Sequence, residues 1–169
     1  MVAQAIDALS LIHPPMFRGR YEHSVDAKGR IALPVRFRDA LDKKSGDGRL
    51  VITMHLTDLC LVVYPLAEWE VFEEKLSKMS QLDPTVTMLR RMYVGMAHEC
   101  TLDQQGRVLV PTELRRDAKI EGEAVWSGAA RFVELWSKPI YEAHVGAVRS
   151  KLEAGDLQSA LVKLAELGL

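Results

Sequence analysis

A fifteen-residue stretch of this chain occurs twice, and that constrains the fold more than any other feature. Ser24–Arg38 aligns without a gap on Thr101–Arg115 at a constant offset of 77. Five pairs are identical: Asp26/Asp103, Gly29/Gly106, Arg30/Arg107, Pro34/Pro111 and Arg38/Arg115. Five of the other ten pairs exchange one apolar residue for another. Farther on, Tyr64, Trp69 and Glu70 match Trp136, Tyr141 and Glu142 at an offset of 72, so the second copy has lost five residues from an intervening loop. Two blocks in the same order identify a tandem duplication, and 169 residues then make two very small domains.

Both copies read alike. Alternation at Tyr21, His23 and Val25, and again at His98, Cys100 and Leu102, predicts a half-buried strand. Asp26–Gly29 and Asp103–Gly106 read as tight turns. Aspartate in first place accepts backbone N–H bonds, and glycine in fourth takes positive φ without steric cost. Arg30–Leu33 and Arg107–Val110 return as strands, which Pro34 and Pro111 end at the first position of a short helix. Strands are also expected at Leu50–Met54 with Cys60–Tyr64, and at Ala124–Ser127 with Phe132–Trp136. A closing helix follows from the spacing of Leu66, Trp69, Phe72, Leu76 and Met79, and of Tyr141, Val145, Val148 and Leu152. Gln81–Pro84 reads as the linker, Thr85–Val94 as a connecting helix, and Leu157, Leu161 and Leu164 as an amphipathic tail. The expected organisation is an extension over 1–15, a first domain over 16–80, linker and connecting helix over 81–95, a second domain over 96–152 and a helical tail over 153–169.

Charge narrows the function. Lys plus Arg number 22 against 23 Asp plus Glu, a net charge of -1, which excludes a polycation that coats nucleic acid but not a local basic patch. Such a patch exists. From Met16 to Arg49 nine bases stand against five acids, whereas from Asp117 onward six bases face eight acids. The bases of the first copy include Arg18, Arg20, Lys28, Arg30, Arg36 and Arg38, and guanidinium groups suit both phosphate and guanine O6/N7. The plainer reading of the Asp-x-x-Gly-Arg turn is an arginine paired with the aspartate four residues back, stiffening the turn by about 0–1 kcal/mol when exposed. The plainer reading of the charge is a solvated surface.

Other classes find little support. Two cysteines, Cys60 and Cys100, are too few for a disulfide framework and suit a reducing cytoplasm. No apolar run approaches the roughly 18 residues of a membrane span, and Met1–Pro15, with no Lys or Arg, lacks the basic start of an export signal. The five histidines are scattered. His98 and Cys100 share one face of an expected strand with Glu99 on the other, which favours packing over metal ligation. No Gly-rich phosphate loop or Gly-x-Ser-x-Gly turn appears. Neither an enzyme, a cofactor nor a metal is expected.

Met16-Phe-Arg-Gly19, Val25-Asp-Ala-Lys-Gly-Arg-Ile-Ala-Leu-Pro34, and Cys60-Leu-Val-Val-Tyr-Pro65 with Glu68-Trp69 resemble the MraZ family. So do Leu102-Asp-Gln-Gln-Gly-Arg107 and Phe132-Val-Glu-Leu-Trp136. The resemblance runs from Met16 to about Ser150. It implies an α+β, β-rich fold of two AbrB-like swapped-hairpin domains joined as a pseudo-dimer within one chain, with flanking helices. It further implies a ring-shaped homo-oligomer and a bacterial transcriptional regulator, usually a repressor, in the cytoplasm and on the nucleoid. The partner would be double-stranded promoter DNA of the division and cell-wall gene cluster that holds the regulator's own gene. The family's DNA-binding arginine falls on Arg30, with Arg107 as its counterpart. The second copy is less basic, since Gln104 and Gln105 replace Ala27 and Lys28, and Glu113 replaces Arg36. Members tend to begin at the Met-Phe-Arg-Gly step, so Met1–Pro15 is either an extension or the product of a misassigned start. An AbrB-like antitoxin with a protein partner keeps the fold and changes the task; two domains with a helical tail speak against it.

Overall fold

The computed structural model describes residues 16–45, 48–153, 161–163 and 166. The expected extension over 1–15, and Leu157 and Leu164 of the expected tail, lie outside the described residues; Leu161 is helical. The first repeat supplies β1 (Arg20–Ser24), β2 (Arg30–Ala32), α1 (Val35–Ser45), β3 (Arg49–Met54), β4 (Leu61–Pro65) and α2 (Leu66–Ser77). The segment between the repeats forms α3 (Pro84–Leu89), capped at its start by the Asp83 carboxylate accepting the Thr85 amide at 2.8 Å, and then a wide π-helical turn, Arg90–Val94. The second repeat supplies β5 (His98–Thr101), β6 (Arg107–Leu109), α4 (Thr112–Asp117), β7 (Glu123–Ala129), β8 (Phe132–Ser137) and α5 (Lys138–Lys151). One compact unit ends at Ser137, and a second begins at Lys138 with α5.

Alternation marks which face of a strand is buried but not which strand it pairs with, and here the pairing crosses between repeats. The main sheet runs β1-β7-β8-β4-β3-β5, antiparallel throughout. β1 of the first repeat therefore pairs with β7 of the second, and β5 of the second with β3 of the first. β2 and β6 form a separate two-stranded ribbon. The returning strands do not pair with the strands that precede their turns; each finds its equivalent in the other repeat. At the centre of the sheet Val62 pairs with Glu134, and in the ribbon Ile31 pairs with Val108. Each of these residues faces its own counterpart, so a pseudo-twofold axis runs through both pairs. A duplicated chain has thereby built within one molecule the self-complementary contact that a homodimer makes between two.

The registers also relocate the missing residues. Pro65 pairs with Leu50, and its counterpart Ser137 pairs with Ala124, so β3 and β7 correspond at an offset of 74. The second copy is thus shortened in two places, once before β7 and once between β7 and β8, rather than in one loop. The proline readings shift by one position. Pro34 and Pro111 act as N-caps, their carbonyls accepting the Arg38 amide at 3.0 Å and the Arg115 amide at 2.9 Å, and the helices begin one residue later.

Burial follows the alternation. Leu50, Ile52, Leu61, Val63, Ala124, Trp126, Val133 and Leu135 face a core closed by Ile31, Leu33, Val108 and Val110 of the ribbon and by Phe37 and Leu114 of α1 and α4. Val51 and Val62 point to the opposite face, where Leu66 and Trp69 of α2 and Tyr93 of the π-turn cover them. There the Tyr64 and Tyr93 hydroxyls lie 3.0 Å apart, and the buried Thr53 hydroxyl donates to the Tyr93 carbonyl at 2.8 Å.

Candidate nucleic-acid interface

The two Asp-x-x-Gly-Arg turns are built alike. In the first, the Asp26 carboxylate accepts the Lys28 and Arg30 amides, each at 2.9 Å, on one oxygen and the Arg30 Nε–H at 2.8 Å on the other. The Gly29 amide donates to the Asp26 carbonyl at 2.8 Å, and the Asp26 amide to the Arg30 carbonyl at 2.9 Å. In the second, Asp103 accepts the Gln105 and Arg107 amides at 2.9 Å and the Arg107 Nε–H at 2.8 Å. Gly29 has φ of 84° and Gly106 of 72°, where a side chain is strained. Aspartate and glycine are thus required at their places by local geometry, and the arginine side chain adds an ion pair to a turn that backbone amides already hold.

These bonds act on the carboxylates. The backbone amide of Arg30 first, then its guanidinium and the Lys28 amide, hold the Asp26 carboxyl below its ordinary value of 3.8. The Arg107 amide and guanidinium do the same for Asp103. A depressed folded-state pKa means a stabilising contribution that is complete above the unfolded value and lost as pH falls through the folded one. The Arg30 and Arg107 Nε–H resonances are therefore expected to stay protected from exchange at pH 5 and to lose protection only below about pH 4, as an NMR titration would read.

The ribbon sets the direction of the arginines. Its register pairs Arg30 with Leu109, Ile31 with Val108, and Ala32 with Arg107. Ile31 and Val108 are buried, so Arg30, Ala32, Arg107 and Leu109 occupy the outer face, with the two arginines on a diagonal. The Leu33 amide donates to the Gly106 carbonyl and the Val110 amide to the Gly29 carbonyl, both at 3.0 Å, so each strand is tied to the opposite turn. The symmetry is broken in the ion pairs. Arg107 places Nη2 2.8 Å from Asp103 and Nη1 3.8 Å from Asp26, whereas Arg30 engages Asp26 through Nε at 2.8 Å. Among the described residues Arg107 is shared between two carboxylates, and Arg30 is held by one.

Arg18, Arg20, Lys28 and Arg36 are exposed, with Arg20 4.0 Å from Glu22. Arg38 stands apart from them. Its side chain crosses to the second repeat and lies over Gly106, where a Cβ would sit 2.7 Å from its Cδ and 2.8 Å from its Cζ. Arg115 lies over Gly29 in the same way, with Cζ and Nε 2.8 Å from where a Cβ would stand. Both Nε atoms are buried, without a hydrogen-bond partner among the described residues. The sequence signalled Arg115 only as the fifth identical pair. Leu109, 55% exposed on the outer ribbon, had no signal beyond alternation. Among the described residues no group of three or more His, Cys, Asp or Glu could hold a metal ion, and no helix is long and apolar enough to cross a membrane.

A family model described as "MraZ protein, putative antitoxin-like" matches the chain twice, over residues 16–92 and 93–157. A protein of Shewanella denitrificans named "Transcriptional regulator MraZ" is 41% identical over 144 residues, which is 85% of this chain and 94% of that one. Its namesake in Shewanella amazonensis is 38% identical over 154 residues, 91% of this chain and 100% of the relative. A third, from Hydrogenovibrio crunogenus, is 38% identical over 148 residues, 88% of this chain and 97% of the other.

Proposed function

The chain belongs to the MraZ family, and from that premise we propose that it is a sequence-specific DNA-binding transcriptional regulator, with no enzymatic activity, that contacts DNA through the outer face of the β2/β6 ribbon. The observation that carries this reading is the pair of pseudo-symmetric Asp–Arg turns that bring Arg30 and Arg107 onto one face, with Lys28 exposed within the first turn. The finer reading adds repression of a promoter in the division and cell-wall gene cluster, with nucleoid association following from it. Phosphate contacts from Arg18, Arg20, Lys28 and Arg36 would set position, and an arginine reaching a base edge would supply about 1–3 kcal/mol of discrimination. Arg30 is the better placed of the two ribbon arginines for that task, because Arg107 is shared between two carboxylates.

One near-neutral chain makes few contacts, so affinity is expected to come from a ring oligomer engaging spaced promoter repeats, which multiplies binding by about 10²–10⁴ through effective concentration. Self-association is supported by apolar surface on the segment between the repeats. Leu82 is 93% exposed and lines one groove with Met88 and Met92. The test is fluorescence anisotropy against DNA from upstream of the protein's own gene and against a scrambled duplex, across a salt titration. Tight binding to the upstream DNA alone, with a log–log slope of about -0.9 per phosphate contact, is expected. Equal weak binding to both duplexes, or none, would overturn the reading and favour the antitoxin one, to which the family description also lends weight.

A further inference from the structure

Arg38, expected from the sequence to contact DNA with the other bases of the first copy, and Arg115, for which the sequence suggested no role, make the same contact in opposite directions across the pseudo-twofold axis. We propose that they are positioning residues: each lays its guanidinium on the turn glycine of the other repeat and so fixes the arginine that follows that glycine. Arg38 thereby positions Arg107, and Arg115 positions Arg30. The proposal rests on the DNA-binding reading above and deepens it.

Three observations carry it. The contact is present twice, from residues related by the repeat offset of 77, so it belongs to the duplicated design rather than to one surface. The Nε of each is buried with no hydrogen-bond partner among the described residues, and hiding a donor from water is unfavourable. A phosphate ligand keeps its donors toward solvent; a group packed on backbone does not. Finally, the approach depends on glycine. A Cβ at either position would stand 2.8 Å from the guanidinium carbon, so Gly29 and Gly106 are needed for proximity as well as for positive φ. The opposite strand already holds these glycines through the Leu33 and Val110 amides, and the guanidinium completes the grip from the helix that follows each strand.

Arg38→Met keeps the aliphatic stem and removes the planar head; Arg38→Lys keeps the charge but not the plane. Because Arg38 acts through Arg107, both are expected to weaken operator binding only a few-fold, and Arg115→Met, which acts through Arg30, by about tenfold, while the salt slope of the full-length protein stays unchanged in all three. Lys28→Ala, the comparison, is expected to reduce the slope by about 0.9. In NMR spectra without DNA, the Gln105, Gly106 and Arg107 amides are expected to shift in both Arg38 variants, and the Lys28, Gly29 and Arg30 amides in Arg115→Met. A reduced salt slope in Arg38→Met, or full rescue by Arg38→Lys, would make Arg38 a phosphate ligand and overturn the proposal. So would amide shifts confined to α1. If the unmodified protein binds no DNA, the functional reading fails by itself, and the cross-repeat amide shifts still decide whether the grip exists.

Discussion

Replacing Trp126 with alanine is expected to lower folding stability by about 3–5 kcal/mol, a large share of the roughly 5–15 kcal/mol that holds a domain of this kind together. Trp126 is fully buried, in β7 of the second repeat, and its indole Nε1 donates to the Ala32 carbonyl of β2 at 2.9 Å. Two penalties therefore combine. A cavity opens between sheet and ribbon, and the Ala32 carbonyl loses a buried donor. Ala32 is also the ladder partner of Arg107, so the loss falls on the ribbon itself. Trp126→Phe, which keeps most of the volume and loses the bond, separates the terms and is expected to cost about 1–2 kcal/mol. Denaturant titration reads both through the midpoint at constant slope. A loss below about 1 kcal/mol for Trp126→Ala would mean that the ribbon is not sealed by this residue.

What was legible in the sequence was local, or repeated. The turns could be read because Asp26, Gly29 and Arg30 satisfy one another within five residues, and because the same chemistry recurs at Asp103, Gly106 and Arg107. The strands were expected one by one, β1 and β5 from their own alternation. The partners were not, since β1 meets β7 about a hundred positions away and the period of two is silent on that choice. The swapped arrangement came from resemblance, not from pattern. The shortening of the second copy was placed in one loop because the identical pairs between Arg38 and Tyr64, Gly48/Gly122 and Val51/Val125, stand at an offset of 74 that only the β3 and β7 registers reveal. Arg38 was grouped with the exposed bases for a similar reason. An arginine three residues into a helix looks like a surface charge until the glycine that makes room for it, 68 positions away, is seen beneath its head.

Arg30→Ala is expected to reduce operator binding by about a hundredfold, the upper range for one base-reading arginine, while changing stability by less than about 1 kcal/mol. The second half of that expectation follows from exposure. The Arg30 and Asp26 side chains retain 32% and 34% of their accessible surface, so solvent screens the pair. The Lys28 and Arg30 amides would still bind the Asp26 carboxylate and hold the turn. Arg107→Ala is expected to behave differently despite removing the same charge. Arg107 lies between Asp103 at 2.8 Å and Asp26 at 3.8 Å, and its loss leaves two carboxylates facing each other across the ribbon with Arg30 as the nearer cation. Arg30 would then be drawn further into neutralising acids, so binding should fall by less than about tenfold through a weaker electrostatic surface. Discrimination between operator and scrambled duplex should survive. The two variants, compared by anisotropy on both duplexes at one salt concentration, therefore separate reading from holding. If Arg107→Ala abolishes discrimination and Arg30→Ala spares it, the assignment is reversed, and the second repeat, with fewer bases around its turn, is the one that reads sequence.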